Sequence, residues 1–386
     1  MGTQKQYRIG VDVTSALTQG GGIGRYTREL IQAVAEQDPH NQYQLFSAKL
    51  VTDPPVADPL PIAPNFEYKA APLNERWLYR LWYRARMPLP VQAVLGGLDL
   101  FHSPDFVLPP VLGNIPTLLT VHDLSFVHFA DVYVPSLVSY LNKVVPWSVR
   151  RATHILADSE ATKRDLVEIY DVSAEKITTL YAGVSPHFLP VTKEKQFRSV
   201  RQKYNLGSNP YIFSVGTVQP RKNYRMLIQA FAPLAKQFPH NLAIAGGKGW
   251  LFDEILAEIE AQGLTGRVRF LGFVDDVDLP TLYSDATLFM IPSIYEGFGI
   301  PILEAMACGV PVVASNASCL PEVVGDAGML LDPNDTQAWT ETMRSLLTDA
   351  TQRARLVGKG ALQGRKFSWQ KSAEQLIALY HQLLQT

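Results

Sequence analysis

TLFMIPSIYEGFGIPILEAMACGVPVVAS, residues 287–315, carries only two charges, Glu296 and Glu304. TLFMIPS reads as a buried strand, EGFG as a turn and PILEAMAC as a short helix. Pro301 suits the start of that helix, where its missing N–H costs nothing. Gly309 stops the helix and VPVVAS begins the next strand. Strand, turn, helix and strand in this order describe one step of a parallel α/β sheet. The pattern also raises a question: what stabilises two carboxylates eight positions apart in a stretch that reads as buried?

The same rhythm extends along the chain. YRIGVDV (7–13), YQLFSA (43–48), DLFHS (99–103), IPTLLTV (115–121) and HILADS (154–159) read as strands of a first domain. YIFSVG (211–216), LAIAGG (242–247) and VRFLGF (268–273) join the quoted strands in a second. Between them, IGRYTRELIQAVAEQ and YRMLIQAFAPLAKQF space their apolar residues near the helical period. The rhythm falters from about Tyr181 to Gly207, where Gly183, Pro186, Pro190 and a run of charges mark a linker. We therefore expect an α/β chain of two doubly wound domains, residues 1–190 and 191–366. Ligands of such sheets sit beyond the carboxyl ends of the strands.

Composition narrows the function classes. The chain has 386 residues, too many for one ordinary core, with 47% hydrophobic and 18% charged residues. A net charge of −1 leaves no global field to draw in nucleic acid. No run of apolar residues is long enough to span a bilayer, and MGTQKQYRIGVDV lacks the order of a signal peptide. Cys308 and Cys319, the two cysteines, form no CxxC pair. A disulfide framework or zinc site is not expected, and a reducing cytoplasm fits.

Three stretches carry chemistry. In the quoted segment, the amides of Gly297, Phe298, Gly299 and Ile300 face out of the helix start and form an anion site. Glu304 is expected in the first helical turn and Glu296 just before the glycines. A lone glutamate there would merely complement the helix dipole or stand in solvent. Two of them, bracketing Gly-Phe-Gly, suit ligand hydroxyls, which would supply their partners without a cation. In SVGTVQPRKNYRMLIQAF the strand ends at Gly216 and Asn223 is a candidate N-cap. Arg221 and Lys222 then lie at a helix start, where the dipole disfavours cations unless an anion is bound. TQGGGIGRYTREL is a tight glycine loop, but Arg25 breaks the dinucleotide fingerprint. His122 and Asp123 follow a strand directly. Asp276 and Asp278 form a DxD best read as capping the helix that follows.

Together these residues resemble the retaining GT-B glycosyltransferases of family 4, also described as group 1. Glu296-GFGIPIL-Glu304 has that family's spacing, and AMACGVPVVASN, LPEVVGDAG, VGTVQPRKN and FLGFVDDVDLPTLYSDA resemble its motifs. FSWQKSAEQLIALY resembles its last helix, which implies that residues 367–386 pack back on the first domain. The resemblance implies two Rossmann-like domains facing a central cleft, with a nucleotide-sugar donor and a glycan or lipid-linked acceptor. It assigns catalysis to His122, Arg221, Lys222 and Glu296. Donor contacts fall to Gly22, Gly24, Gly216, Gly246, Val274, Gly297, Phe298, Gly299, Ile300 and Glu304. Within these, Glu296 would hold sugar hydroxyls, Glu304 the ribose, Val274 the base through its backbone, and Arg221 with Lys222 the diphosphate. Many members carry arginine where this chain has Thr217, which leaves the phosphate role to Arg221 and Lys222.

The implied reaction is retaining hexosyl transfer in cell-envelope or exopolysaccharide synthesis, with no metal and no cofactor. Glucose from UDP-glucose is the first expectation and mannose from GDP-mannose the alternative. A nicotinamide oxidoreductase is disfavoured by the broken fingerprint, and a non-catalytic sugar-nucleotide binder by the intact charged set. No nucleic-acid partner is expected. LNERWLYRLWYRARMP (73–88) spaces Arg76, Arg80 and Arg84 on one stripe among aromatics. Residues 74–87 read either as an ordinary core-filling helix or as a helix lying on an anionic membrane, placing a cytoplasmic enzyme at the inner face of the plasma membrane.

Overall fold

The computed structural model describes residues 5–51, 60–249 and 252–385. The chain divides into two compact units. One comprises Met1–His128, Pro135–Gly183 and Trp369–Thr386, the other Phe129–Val134 and Val184–Ser368.

The first unit is built on β1 (Arg8–Asp12), β2 (Gln42–Lys49), β3 (Phe66–Asn74), β4 (Leu100–Ser103), β5 (Thr117–Val121), β6 (His154–Ala157) and β7 (Ile177–Thr179). They form one sheet in the order β3-β2-β1-β4-β5-β6-β7, with parallel pairing throughout. The second unit holds β8 (Tyr211–Val215), β9 (Asn241–Ala245), β10 (Val268–Gly272), β11 (Leu288–Ile291), β12 (Val312–Ser315) and β13 (Met329–Leu331). Its order is β10-β9-β8-β11-β12-β13, again all parallel. Each sheet therefore grows outward in both directions from a switch point, β1/β4 in one and β8/β11 in the other, leaving a crevice at the carboxyl ends there.

Helices cover both faces of each sheet, so β5, β9, β11 and β12 are buried along their whole length. Leu227, Phe231, Ile244, Met290 and Trp339 belong to the second core, and Phe101, Leu119, Val145 and Ile155 to the first. The helix Trp369–Gln385 belongs to the first unit. Its Tyr380 hydroxyl lies 2.7 Å from Nδ1 of His102, whose Nε2 lies 3.0 Å from Thr120 Oγ1. Burial, with a smaller effect from His122, pushes His102 down to about 3, so it serves as a neutral structural link.

The structure departs from the sequence reading in three places. Strands β3, β7 and β13 were not expected. All three are sheet edges; β3 carries no apolar run, and the other two have three residues each, too few to stand out as strands. The charged part of the expected linker is a helix, Glu194–Lys203, which belongs to the second unit. Arg201 grips Asp285 there with two hydrogen bonds, 2.6 and 3.1 Å long. The Arg/Trp segment is a short α-helix, Glu75–Tyr79, running into a π-turn, Arg80–Arg84. Leu78 and Trp82 fill the core, while Arg76, Arg80 and Arg84 are exposed and Trp77 stays 51% exposed under the Arg80 guanidinium. The core-filling reading holds for Leu78 and Trp82, while the arginine side of the segment is exposed.

Candidate functional site

The crevice of the second unit opens where β8 and β11 end. β8 runs into Gly216 and then the 3-10 turn Pro220–Lys222; β11 runs into the loop that carries Glu296. The Ile294 amide donates to the Arg221 carbonyl at 3.0 Å, which ties the two loops together. Arg221 Nη1 donates to the Tyr295 carbonyl at 2.6 Å and to Glu296 Oε2 at 2.9 Å. Lys222 Nζ donates to Glu296 Oε1 at 2.5 Å. Glu296, 7% exposed, is thus clasped by both cations. Burial alone would push its carboxyl up; Lys222 and Arg221 outweigh burial and hold it at about 2. The expectation that Glu296 needs no cationic partner is wrong, because β8 and β11 are sheet neighbours and bring the three charges together.

Past Glu296 the backbone is turned by residues that sequence reasoning missed. Ser318 Oγ donates to the Glu296 carbonyl at 2.5 Å, and Cys319 Sγ donates to the same carbonyl at 3.1 Å and to that of Phe298 at 3.0 Å. In a trans peptide the carbonyl and the next N–H point in opposite directions. The amides of Gly297 and Gly299 therefore face away from Ser318 and Cys319. Gly299, at φ +104°, caps the helix Ile300–Ala307. Glu304 lies in that helix's second turn rather than its first, so complementing the dipole does not explain it. It is 2% exposed and accepts a hydrogen bond from Tyr283 Oη at 2.7 Å. Phe298 is buried, while Gly297 and Ile300 are partly accessible.

Gly216 and Gly246 press together at the foot of the crevice. A Cβ on Gly246 would lie 2.1 Å from the Gly216 carbonyl oxygen, and one on Gly216 would lie 3.1 Å from Lys222 Cε. The Gly246 amide also donates to the Gly272 carbonyl at 2.8 Å, which ties β10 to the same point. Val274 follows two residues on with its side chain buried, beside Phe273, which is exposed. Two capping expectations fail. Asn223 precedes the helix Tyr224–Ala235, but its Nδ2 donates to the Pro333 carbonyl at 2.8 Å and its side chain caps nothing. Asp278 instead takes hydrogen bonds from Lys203 Nζ at 2.5 Å and Tyr204 Oη at 2.8 Å.

Gly22, Gly24 and His122 lie in the first unit. A Cβ on Gly24 would lie 2.2 Å from the Gln19 carbonyl oxygen, so close packing demands glycine there. Arg28, also missed, pins the loop by donating to the carbonyls of Ala16, Gln19 and Gly20 at 2.6–2.9 Å. His122 is buried at the end of β5. Its Nδ1 is 2.7 Å from Asp158 Oδ2 and its Nε2 3.2 Å from the Pro104 carbonyl oxygen. Both faces offer acceptors, so both nitrogens donate and the ring is an imidazolium. Burial opposes that charge, but Asp158 and Asp105 raise the histidine to about 9. A ring held in this way is a fixed donor and positive charge, not a base.

Comparison with known proteins matches the chain to two family models, described as Glycosyl transferases group 1 over residues 196–363 and Glycosyltransferase Family 4 over residues 20–188. It is 34% identical to an O-antigen chain mannosyltransferase B of Escherichia coli, over 93% of this chain and 95% of that one. It is 30% identical to a D-inositol 3-phosphate glycosyltransferase of Salinispora tropica, over 93% of this chain and 80% of the relative. Among solved structures, a sucrose-phosphate synthase from Thermosynechococcus elongatus superposes with a TM-score of 0.76, covering 98% of this chain and 99% of that one. At 23% identity that likeness shows the fold alone, and the fold is GT-B.

Proposed function

We propose, from the premise that this chain belongs to glycosyltransferase family 4 and is a glycosyltransferase, that the hexose it moves is mannose, carried by GDP and delivered to a glycan or lipid-linked sugar of the cell envelope. One observation carries the donor site: Arg221 and Lys222 meet at Glu296 where β8 and β11 end, beside the outward amides of Gly297 and Gly299. The name of the Escherichia coli relative supports mannose over the glucose first expected.

The chemistry follows from charge. The acceptor hydroxyl oxygen bonds to the anomeric carbon as the bond from that carbon to the diphosphate oxygen breaks. The acceptor's proton passes to the departing phosphate on the same face of the sugar, so configuration is retained. Negative charge grows on the diphosphate, where two fixed cations and backbone amides lower the barrier without a divalent metal. Arginine has five donors and lysine three, so both can hold Glu296 and the diphosphate together. Glu296 takes donor-sugar hydroxyls, Glu304 the ribose, and the Val274 backbone the base.

The exposed Trp77, Arg76, Arg80 and Arg84 side of residues 74–87 rests on anionic lipid, which holds the enzyme at the inner face of the plasma membrane. Release of nucleoside diphosphate from GDP-mannose, UDP-glucose and other sugar nucleotides, with EDTA present, tests the reaction. GDP-mannose should turn over with EDTA in place. Turnover of UDP-glucose alone would restore the first expectation, and no turnover without added metal would remove the metal-free reading.

A further inference from the structure

The loop that bears Glu296 presents two backbone amides with no protein partner. Neither Gly297 nor Gly299 donates its amide to an acceptor among the described residues, and both glycines are partly accessible. Their peptides are pinned from the other side. Ser318 Oγ meets the Glu296 carbonyl at 2.5 Å. Cys319 Sγ lies 3.1 Å from that oxygen and 3.0 Å from the Phe298 carbonyl oxygen. Each carbonyl shares a planar peptide with one of the two amides, so fixing one end aims the other. Ser318 makes its contact from φ +54°, a left-handed conformation that serine adopts only at a cost. Cys319 is fully buried. Burial, with the Glu296 and Glu322 charges adding to it, raises its thiol well above the ordinary range, so it stays an S–H donor at neutral pH.

Gly297 and Gly299 lack a Cβ, so the peptides beside them rotate more readily than others. A rotated peptide would present a carbonyl oxygen where an amide now stands, and would repel an anion instead of holding it. We propose that Ser318 and Cys319 are positioning residues of the transferase. They hold the Glu296 and Phe298 carbonyls so that the Gly297 and Gly299 amides are aimed at the diphosphate of the donor. Both side chains act through the backbone and not by touching the donor. The Glu296 carboxylate is fixed separately, by Arg221 and Lys222, so aiming the amides and neutralising the carboxylate are distinct tasks. The inference rests on the transferase reading above and adds two residues to it.

GDP titration and GDP-mannose turnover in the whole protein test it, with the melting temperature followed in every variant. Ser318→Gly removes the hydroxyl and the left-handed strain together. It should melt close to the parent while binding GDP roughly three- to tenfold more weakly. Cys319→Ala should weaken GDP roughly tenfold, and Cys319→Ser, which restores a donor, should recover part of that loss. In each variant kcat/KM for GDP-mannose should fall by a similar factor. Ser318→Gly covers the case where a change at buried Cys319 prevents folding. The proposal is overturned if Ser318→Gly binds GDP and turns over the donor like the parent. It is also overturned if weaker binding comes only with a matching loss of fold, or if Cys319→Ser does no better than Cys319→Ala. Failure of GDP to bind the parent protein would count instead against the transferase reading.

Discussion

Glu296 answers the question that its sequence poses. A buried carboxylate survives there because Arg221 and Lys222, 75 and 74 positions away in the chain, are folded onto it. The pairing makes an acid-stability prediction. The carboxyl is held at about 2 against an ordinary 4.5 in the unfolded chain, so its stabilisation is complete above about 4.5. It is lost as pH falls toward 2, and amounts to roughly 3 kcal/mol. Thermal unfolding between pH 6 and 3 should therefore show a shallower acid decline for Glu296→Gln than for the parent. Equal slopes would mean that the three charges are not coupled. Lys222→Ala should lose turnover and also stability, about 3–5 kcal/mol, because it strips one partner from a buried carboxylate. A variant inactive yet as stable as the parent would show that Lys222 acts on the ligand alone. The motif made all three residues legible in the sequence. Their contact was not, since it depends on β8 lying beside β11. Asp158, the partner of His122, was missed for the same reason, 36 positions along the chain.

At the scale of elements, the central strands were legible because burial on both faces writes a continuous apolar run into the sequence. The edge strands β3, β7 and β13 were not: β3 carries no such run and β7 and β13 have three residues each, whereas the edge strand β10 was read from VRFLGF. The capping roles given to Asn223 and Asp278 failed differently: helix starts attract such residues, but tertiary partners took their side chains. The contact of the turn after β9 with the end of β8 offers a sharp test. Gly246→Ala would drive a Cβ to 2.1 Å from the Gly216 backbone, at φ +143°, and neither chain can yield cheaply. We expect a fall of several kcal/mol in stability, or no folded protein. Gly247→Ala, next in sequence but with nothing within 4 Å of the new Cβ, should unfold close to the parent temperature. Similar melting of the two variants would mean that this close approach does not exist in solution.

Across the whole molecule, two sheets repeat one plan: central strands first, edges later, and a crevice at the turning point. In the second unit that crevice gathers Arg221, Lys222 and Glu296; in the first it gathers Asp12, Glu75 and Asp105. Among the described residues no helix is long and apolar enough to cross a membrane. The proposed contact with lipid uses the exposed arginines and Trp77 near residues 74–87. Co-sedimentation with anionic vesicles at low salt should fall when Arg76, Arg80 and Arg84 are replaced together by glutamine, each contributing about 1 kcal/mol. Binding that is unchanged by the triple replacement would place any lipid contact elsewhere.

The central claim, that the β8/β11 crevice holds a nucleotide sugar with Glu296 at the sugar and Glu304 at the ribose, has a direct measurement. Free GDP is titrated calorimetrically into the parent, Glu296→Gln and Glu304→Gln proteins, and GDP-mannose turnover is followed in each. Glu304→Gln should weaken GDP by roughly 1.5–3 kcal/mol. Glu296→Gln should bind GDP at least as tightly as the parent, because Arg221 and Lys222 are released to the diphosphate, while its turnover of GDP-mannose falls. If both variants bind GDP and turn over the donor like the parent, the two carboxylates play no part in donor recognition and the assignment of the site is wrong.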